Sequence, residues 1–257
     1  MADQGSGKRN DGEDGPDGQA GAFGVAAAEY ERGRPPYPLE AVDWLVPEGA
    51  RRVLDLGAGT GKLTRLLRHR GLDVVAVEPS EGMRQELHRV LPDVPVLAGS
   101  AEAIPLDDGA VDAVLVAQAW HWVDTDRAVP EVARVLAPGG TLGLLWNIRD
   151  ERDDWVRQLG LLLARYTKPN MHTAAPPVGP PFGPLERRDV EWIYNLTPGA
   201  LIDLVTSRSY IITLPPDEHA AVLGQVRTLL NTHPTLAGRQ QIALPYVSRC
   251  SRTVLQF

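Results

Sequence analysis

Cysteine is almost absent, since Cys250 is the only one in 257 residues. An internal disulfide is therefore impossible, no thiolate-rich metal site can form, and a reducing compartment fits. No metal centre is expected. The chain also lacks any apolar run near the roughly 18 to 20 residues that span a bilayer, and its first residues lack the apolar stretch of a secretory signal. The expectation is a soluble, cytoplasmic protein with no membrane partner. Cationic excess is missing as well: 26 Lys and Arg stand against 33 Asp and Glu, for a net charge of −7. Duplex-binding surfaces draw most of their affinity from a basic stripe that neutralises phosphates, and none is visible, so nucleic acid is not an expected partner.

Apolar material is sufficient for one substantial core, at 43% of the residues, and the length suits a single α/β domain with additions. Part of the negative charge sits in the first twenty residues, where Asp3, Asp11, Glu13, Asp14 and Asp17 outnumber Lys8 and Arg9. Residues 1–22 are rich in Gly and Asp with few large apolar side chains, so ordering them costs entropy without compensating burial. A disordered tail is expected there. Residues 23–30 read as a short helix, residues 34–38 (Arg-Pro-Pro-Tyr-Pro) as extended, and residues 39–46 as helical again.

From residue 52 the pattern becomes short apolar runs of strand length separated by amphipathic stretches. Strands are expected at 52–56, 74–77, 94–98, 111–117 and 141–146, and helices at 62–70, 81–90 and 124–136. Met83, Leu87 and Val90 share one helical face. Asp124 is a candidate N-cap, Pro130 suggests a kink, and Pro138-Gly139-Gly140 turns the chain into the fifth strand. Strand runs without polar alternation, each followed by a helix, predict a parallel sheet covered on both faces, a doubly wound α/β fold. Beyond it, residues 154–166 read as a helix and the Pro- and Gly-rich residues 168–184 as a loop. Val190, Trp192, Tyr194 and Leu196 alternate at period two, and Thr197-Pro198 offers an N-cap followed by proline at the first helical position. Helices follow at 198–208 and 216–231. A last strand is expected at 241–254, with Pro245 arguing for a start or an edge position.

In a doubly wound sheet, ligands bind outside the carboxyl ends of the strands where the strand order reverses. After the first strand, Gly57, Gly59 and Gly61 permit a tight turn and close backbone approach, with helix amides pointing at the ligand. Glu78 follows the second strand, nineteen positions beyond Gly59. There a carboxylate can accept from both hydroxyls of a ribose. The G-x-G-x-G spacing puts Lys62 where a dinucleotide fingerprint needs its third glycine. A phosphate-binding P-loop needs glycine at Leu56 and a hydroxyl at Leu63. Both of those cofactor classes are disfavoured.

These residues resemble the class I methyltransferases, in the type 11 branch that contains the ubiquinone-biosynthesis C-methyltransferases and trans-aconitate O-methyltransferase. The resemblance rests on the runs 53–61 (VLDLGAGTG), 77–83 (VEPSEGM), 99–106 (GSAEAIPL) and 135–140 (VLAPGG). It implies a mostly parallel seven-stranded Rossmann-like sheet and S-adenosyl-L-methionine as cofactor. By position, it implies that Gly57, Ala58, Gly59 and Gly61 line the methionine moiety, that Asp55 orients its amino group, and that Glu78 holds the ribose. Pro79 and Met83 would lie near the adenine, with Ala101 and Glu102 at its edge; Ser100 stands where the family often has Asp. Gln118 and Ala119 would lie beneath the transferable methyl, and Tyr30 and Arg34 in a lid over the cofactor. The same resemblance divides 23–257 into a lid segment (23–50), a cofactor-binding core (51–150) and substrate-shaping helices with closing strands (151–257). Met83 also fits ordinary helix packing, and Ser100 a simple strand end.

The acceptor is expected near residues 118–122 (Gln-Ala-Trp-His-Trp), which resemble a stretch of the trans-aconitate-like branch. Displacement at a sulfonium needs alignment and water exclusion, with a general base only when the acceptor must lose a proton. His121 is the candidate base, against the alternative of a positioning residue. Trp120 and Trp122 are candidate substrate contacts, though an extended segment turns only one of them to the pocket. Arg149, after the fifth strand, is a candidate clamp for an acceptor carboxylate or else a solvated arginine. The expected partner is a small-molecule, natural-product or peptide acceptor, with carboxylate O-methylation favoured and oligomeric state undetermined. A non-catalytic S-adenosylmethionine- or nucleotide-binding module is the alternative.

Overall fold

The computed structural model describes residues 31, 33–166 and 176–256. The expected tail at 1–22, the expected helix at 23–30 with Tyr30, and residues 168–175 of the expected loop lie outside the described residues. The element order is α1 (Leu39–Leu45), β1 (Arg52–Leu56), α2 (Lys62–His69), β2 (Asp73–Val77), α3 (Glu81–Val90), β3 (Val96–Leu97) and β4 (Val111–Ala117). A 3₁₀ turn (Trp120–Trp122) leads into α4 (Thr125–Val135), β5 (Leu136–Arg149) and α5 (Asp154–Ala164). The chain then forms β6 (Glu186–Leu196), α6 (Pro198–Thr206), α7 (Ser209–Ile212), α8 (Pro216–Thr232) and β7 (Ile242–Val254).

One seven-stranded sheet results, in the order β3-β2-β1-β4-β5-β7-β6. The first five strands pair in parallel, and β7 inserts antiparallel between β5 and β6. Strand order therefore reverses between β1 and β4, which opens a crevice at their carboxyl ends. Side-chain alternation divides the core between two faces. Leu54, Val114, Leu142 and Leu144 pack with Trp120 and α4 on one face, while Val53, Leu115 and Leu145 pack with α1 and α2 on the other. Over the antiparallel end, α5, α6 and α8 cover Leu244 and Tyr246.

Several boundaries moved for identifiable reasons. β5 runs from Leu136 rather than 141, because its first residues extend the ladder beside β4 through an irregular register. Asp124 caps α4 as expected, its side chain accepting from the Asp126 amide, but the helix continues through Pro130 without a break. β7 is an interior strand, so the edge position expected for Pro245 holds only locally. β5 pairing ends at Arg149 opposite Tyr246, and the Pro245 carbonyl accepts from the Asp150 amide on that side. The missing proline N–H points the same way, past the end of β5, and the ladder with β6 loses no donor.

A buried polar chain ties the antiparallel end to the segment before α1. The Trp192 Nε1–H donates to Ser248 Oγ at 2.9 Å, the Ser248 hydroxyl donates to Asn147 Oδ1 at 2.6 Å, and Asn147 Nδ2 donates to the Pro36 carbonyl at 2.9 Å. Among the described residues, no helix is long and apolar enough to cross a membrane. Ser248→Ala would leave the Trp192 donor and the Asn147 acceptor without their shared hydroxyl. Urea denaturation is expected to show a loss of about 1–3 kcal/mol.

Candidate active site

The turn after β1 is built by left-handed glycines, with φ of 70° at Gly57, 56° at Gly59 and 90° at Gly61, the last capping α2. Gly57 and Ala58 amides both donate to the Val77 carbonyl, at 2.8 and 3.1 Å, which locks the end of β1 to the end of β2. A Cβ on Gly57 would lie 2.9 Å from that of Ala119, so this turn also touches the loop after β4. The Gly59 amide donates to Glu78 Oε2 at 2.9 Å, and the Ser80 amide to Glu78 Oε1 at 2.9 Å. Glu78 is only 7% exposed. Burial pushes its carboxyl upward, and the two amides partly offset that. Each carboxylate oxygen keeps a further lone pair for a hydroxyl.

Asp55, at the end of β1, is 1% exposed. Its Oδ2 accepts from the Thr64 hydroxyl at 2.5 Å, and its Oδ1 has no hydrogen-bond partner. Burial raises its pKa to about 7 against the opposing Thr64 bonds, with the Glu78 charge adding to the rise. A cleft opens beside it, lined by Asp55, residues 57–60, Lys62 and Gln118 together with Arg34, Asn147, Arg208 and Tyr246. Gln118 is the one described non-glycine residue at positive φ, 58°, held by its amide bond to the Leu145 carbonyl at 2.8 Å. Such a conformation costs of order 1 kcal/mol and persists where surrounding contacts demand it.

Glu31, ahead of α1, is tied to the cleft residues Thr60 and Lys62. The Thr60 hydroxyl donates to Glu31 Oε2 at 2.6 Å, and Lys62 Nζ to the Glu31 carbonyl at 2.6 Å. Arg34 Nη2 donates to the Ser207 carbonyl at 3.2 Å, joining the same segment to the end of α6.

The remaining expected site residues fall elsewhere. Pro79 is exposed, and Met83 is buried on α3. Ser100 forms a short bridge with Ala103, Ala101 packs against the core, and Glu102 accepts from the Asp124 amide at 2.9 Å. Trp120 does not line the cleft: it is 1% exposed in the core on the opposite face, its Nε1–H donating to the Pro177 carbonyl at 3.4 Å. The segment is a 3₁₀ turn rather than extended, and Trp120 is the one of the two indoles that enters the core. Trp122 is half-buried with its ring 4.5 Å from that of His121, also outside the cleft lining. His121 Nδ1 accepts from Trp146 Nε1 at 3.4 Å. Indole nitrogen only donates, so the neutral imidazole carries its proton on Nε2 and its lone pair is already engaged. Arg149 is half-buried, with an enclosed Nε that has no hydrogen-bond partner.

Tyr246 and Arg208 were not anticipated as cleft residues. Only the β5–β7 register and the placement of the later helices bring them there, and no local motif marks either.

Residues 54–144 match the family described as "Methyltransferase domain". A Mycobacterium tuberculosis protein named as an uncharacterized methyltransferase is 59% identical over 234 residues, which span 91% of this chain and 96% of that one. The chain belongs to the class I S-adenosylmethionine-dependent methyltransferases. A solved structure assigned to the methyltransferases, from Anaeromyxobacter dehalogenans, is 25% identical, with a TM-score of 0.66 over 87% of this chain and 97% of that one. A Haemonchus contortus N-methyltransferase bound to S-adenosylhomocysteine shares the fold, with a TM-score of 0.51 at 16% identity, over 91% of this chain and 58% of that one.

In this methyltransferase the Asp55 carboxyl binds a proton more readily when folded than its ordinary value of 3.8 allows. Its favourable contribution is therefore fully present below that value and is lost as pH rises through about 7. Asp55→Asn has no such titration. The stability of the wild type relative to this variant is expected to be greatest near pH 4 and to shrink steadily toward pH 7, as read from denaturant midpoints across that range. A constant difference would place the titration elsewhere.

Proposed function

We propose that this enzyme binds S-adenosylmethionine across the turn after β1 and transfers its methyl to a small-molecule, natural-product or peptide acceptor, with O-methylation of a carboxylate favoured. The observation that carries the reading is the junction of Gly59, Glu78 and Asp55. A buried carboxylate with one unpartnered oxygen, beside a glycine turn open above Gly59, suits a ligand that brings an ammonium group. Glu78, anchored by two amides, suits a vicinal diol. The chain's residues therefore fit this cofactor.

In this reading residues 57–61 and Asp55 hold the methionine part and Glu78 the ribose. Pro79, Met83, Ser100, Ala101 and Glu102 border the adenine, with Met83 acting by packing α3. Gln118 and Ala119 floor the transfer site, and Arg34 holds the lid segment closed. When bound, the cofactor supplies a methyl group activated by a sulfonium sulfur. The protein's share is alignment and exclusion of water. The lid segment 23–50, the core 51–150 and the later helices then divide the work of covering, binding and acceptor selection.

A carboxylate acceptor has no proton to lose, which agrees with an engaged His121 lone pair. His121→Asn is accordingly expected to keep transfer activity with an unchanged pH-rate profile. Loss of the basic limb in that variant would restore the general-base role.

Glu78→Ala is expected to stay folded and to weaken S-adenosylmethionine binding by about 10- to 100-fold in calorimetry, since two ribose bonds to a charged acceptor are lost. S-adenosylhomocysteine should bind the wild type and NAD should not. Tight NAD binding with no response to either sulfur compound would overturn this reading.

A further inference from the structure

We propose that Tyr246 is the hydrogen-bond donor that anchors a carboxylate of the methyl acceptor in the cleft, with Arg149, its register partner across the β5–β7 ladder, standing behind the cleft lining on the same sheet face. This rests on the reading of the cleft as the site of methyl transfer, and it assigns the half of the cleft that the cofactor loops do not build. Tyr246 is 1% exposed, lines the cleft, and has a hydroxyl without a hydrogen-bond partner. Burying a hydroxyl unpaired costs about 1–3 kcal/mol, and phenylalanine would pack there without that cost. A ligand that accepts a hydrogen bond removes the penalty.

The phenol is held in place. Its ring stacks on Trp192 at 5.4 Å and 22°, and Trp192 is itself fixed through Ser248 to Asn147. Arg149 and Tyr246 are register partners, and Tyr246 and Trp192 are partners on the other side, so all three side chains share one face of the sheet. Arg149 stands outside the cleft lining, and its enclosed Nε has no hydrogen-bond partner, so its charge lies on the same sheet face as the phenol. Together they match an oxyanion better than a cation or an apolar group. Arg34 and Arg208 line the same cleft, whereas Asp55, its acidic side chain, stands with the turn after β1. Lys62 also lines the cleft, beside the turn after β1, so Arg34, Arg208 and Lys62 leave Asp55 as its one acidic lining side chain among the described residues.

In the transfer step an oxygen lone pair of the acceptor carboxylate forms the new bond to the methyl carbon as the carbon–sulfur bond breaks. The electron pair goes to sulfur, and the products are a neutral ester and a neutral thioether. No proton moves. Tyr246 orients the carboxylate, and the chemistry asks nothing further of it.

The test uses the full-length wild type, Tyr246→Phe and Arg149→Gln. Methyl-tritiated S-adenosylmethionine is offered with a panel of aliphatic, aromatic and dicarboxylic acids and their primary amides, and base-released volatile methanol reports methyl esters. The wild type should esterify acids and leave the amides unlabelled. Tyr246→Phe should raise the acceptor KM about tenfold or more with a smaller change in kcat, as expected for loss of a bond to a charged group. Arg149→Gln should act in the same direction. S-adenosylmethionine Kd should stay within about twofold of wild type, and the urea midpoint of Tyr246→Phe should hold or rise, because an unpaired hydroxyl is removed. An unchanged KM, or a lowered urea midpoint, overturns the anchoring role. Weakened cofactor binding in Tyr246→Phe would move the residue to the cofactor half. Absence of base-labile product from every acid with wild-type enzyme that binds the cofactor overturns the carboxylate class. A wild type that fails to bind S-adenosylmethionine at all would instead defeat the underlying reading.

Discussion

The hydrogen bond from the Gly59 amide to the Glu78 carboxylate joins the two loops on which the cleft depends. It requires β1 and β2 to lie parallel and in register, so that Leu56 stands beside Val77 and the following residues meet. It also requires a backbone turn with positive φ, which glycine adopts without a Cβ clash. Once this junction forms, Asp55 is enclosed and its proton affinity rises. The apolar strands beneath therefore set the electrostatics above, since the burial of Asp55 is the largest cause of that rise.

The other half of the cleft depends on the antiparallel insertion of β7. A parallel strand there would end at the opposite rim and would bring neither Tyr246 nor Ser248 beside Arg149 and Asn147. The insertion also gives α5, α6 and α8 a surface to cover, with Leu244 and Tyr246 as their floor. Through Asn147 and Pro36 the same ladder holds the segment before α1, and Glu31 and Arg34 hold it further. The segment before α1 is thus tied to the sheet end through Pro36, to the turn after β1 through Glu31 and to the end of α6 through Arg34.

Local chemistry explains what could be read early. Strands β1, β2 and β4 are short, mostly apolar runs without polar alternation, and their order with helices implies a parallel sheet. Gly57, Gly59 and Glu78 carry their meaning in spacing, because a β-α-β unit of fixed length returns the end of β2 beside the end of β1, so that residues nineteen apart meet. Trp120 and His121 were harder. Their turn is 3₁₀, so a two-residue alternation does not describe it, and Trp120 entered the core while His121 engaged Trp146. Pro245 looked like an edge marker, yet it lies in an interior strand just past the last residue of its neighbour.

By itself the sequence determined the doubly wound half, the turn after β1 and the carboxylate after β2, because each is a short-range pattern whose geometry follows from the backbone. Only the tertiary structure decided which side chains oppose them. Tyr246 lies 97 residues from Arg149 in the chain, and their meeting depends on the direction and register of one inserted strand. A slip of one residue would turn Tyr246 to the other face. That register is selected by burial on both sides of the sheet at once, a collective property that no local motif records.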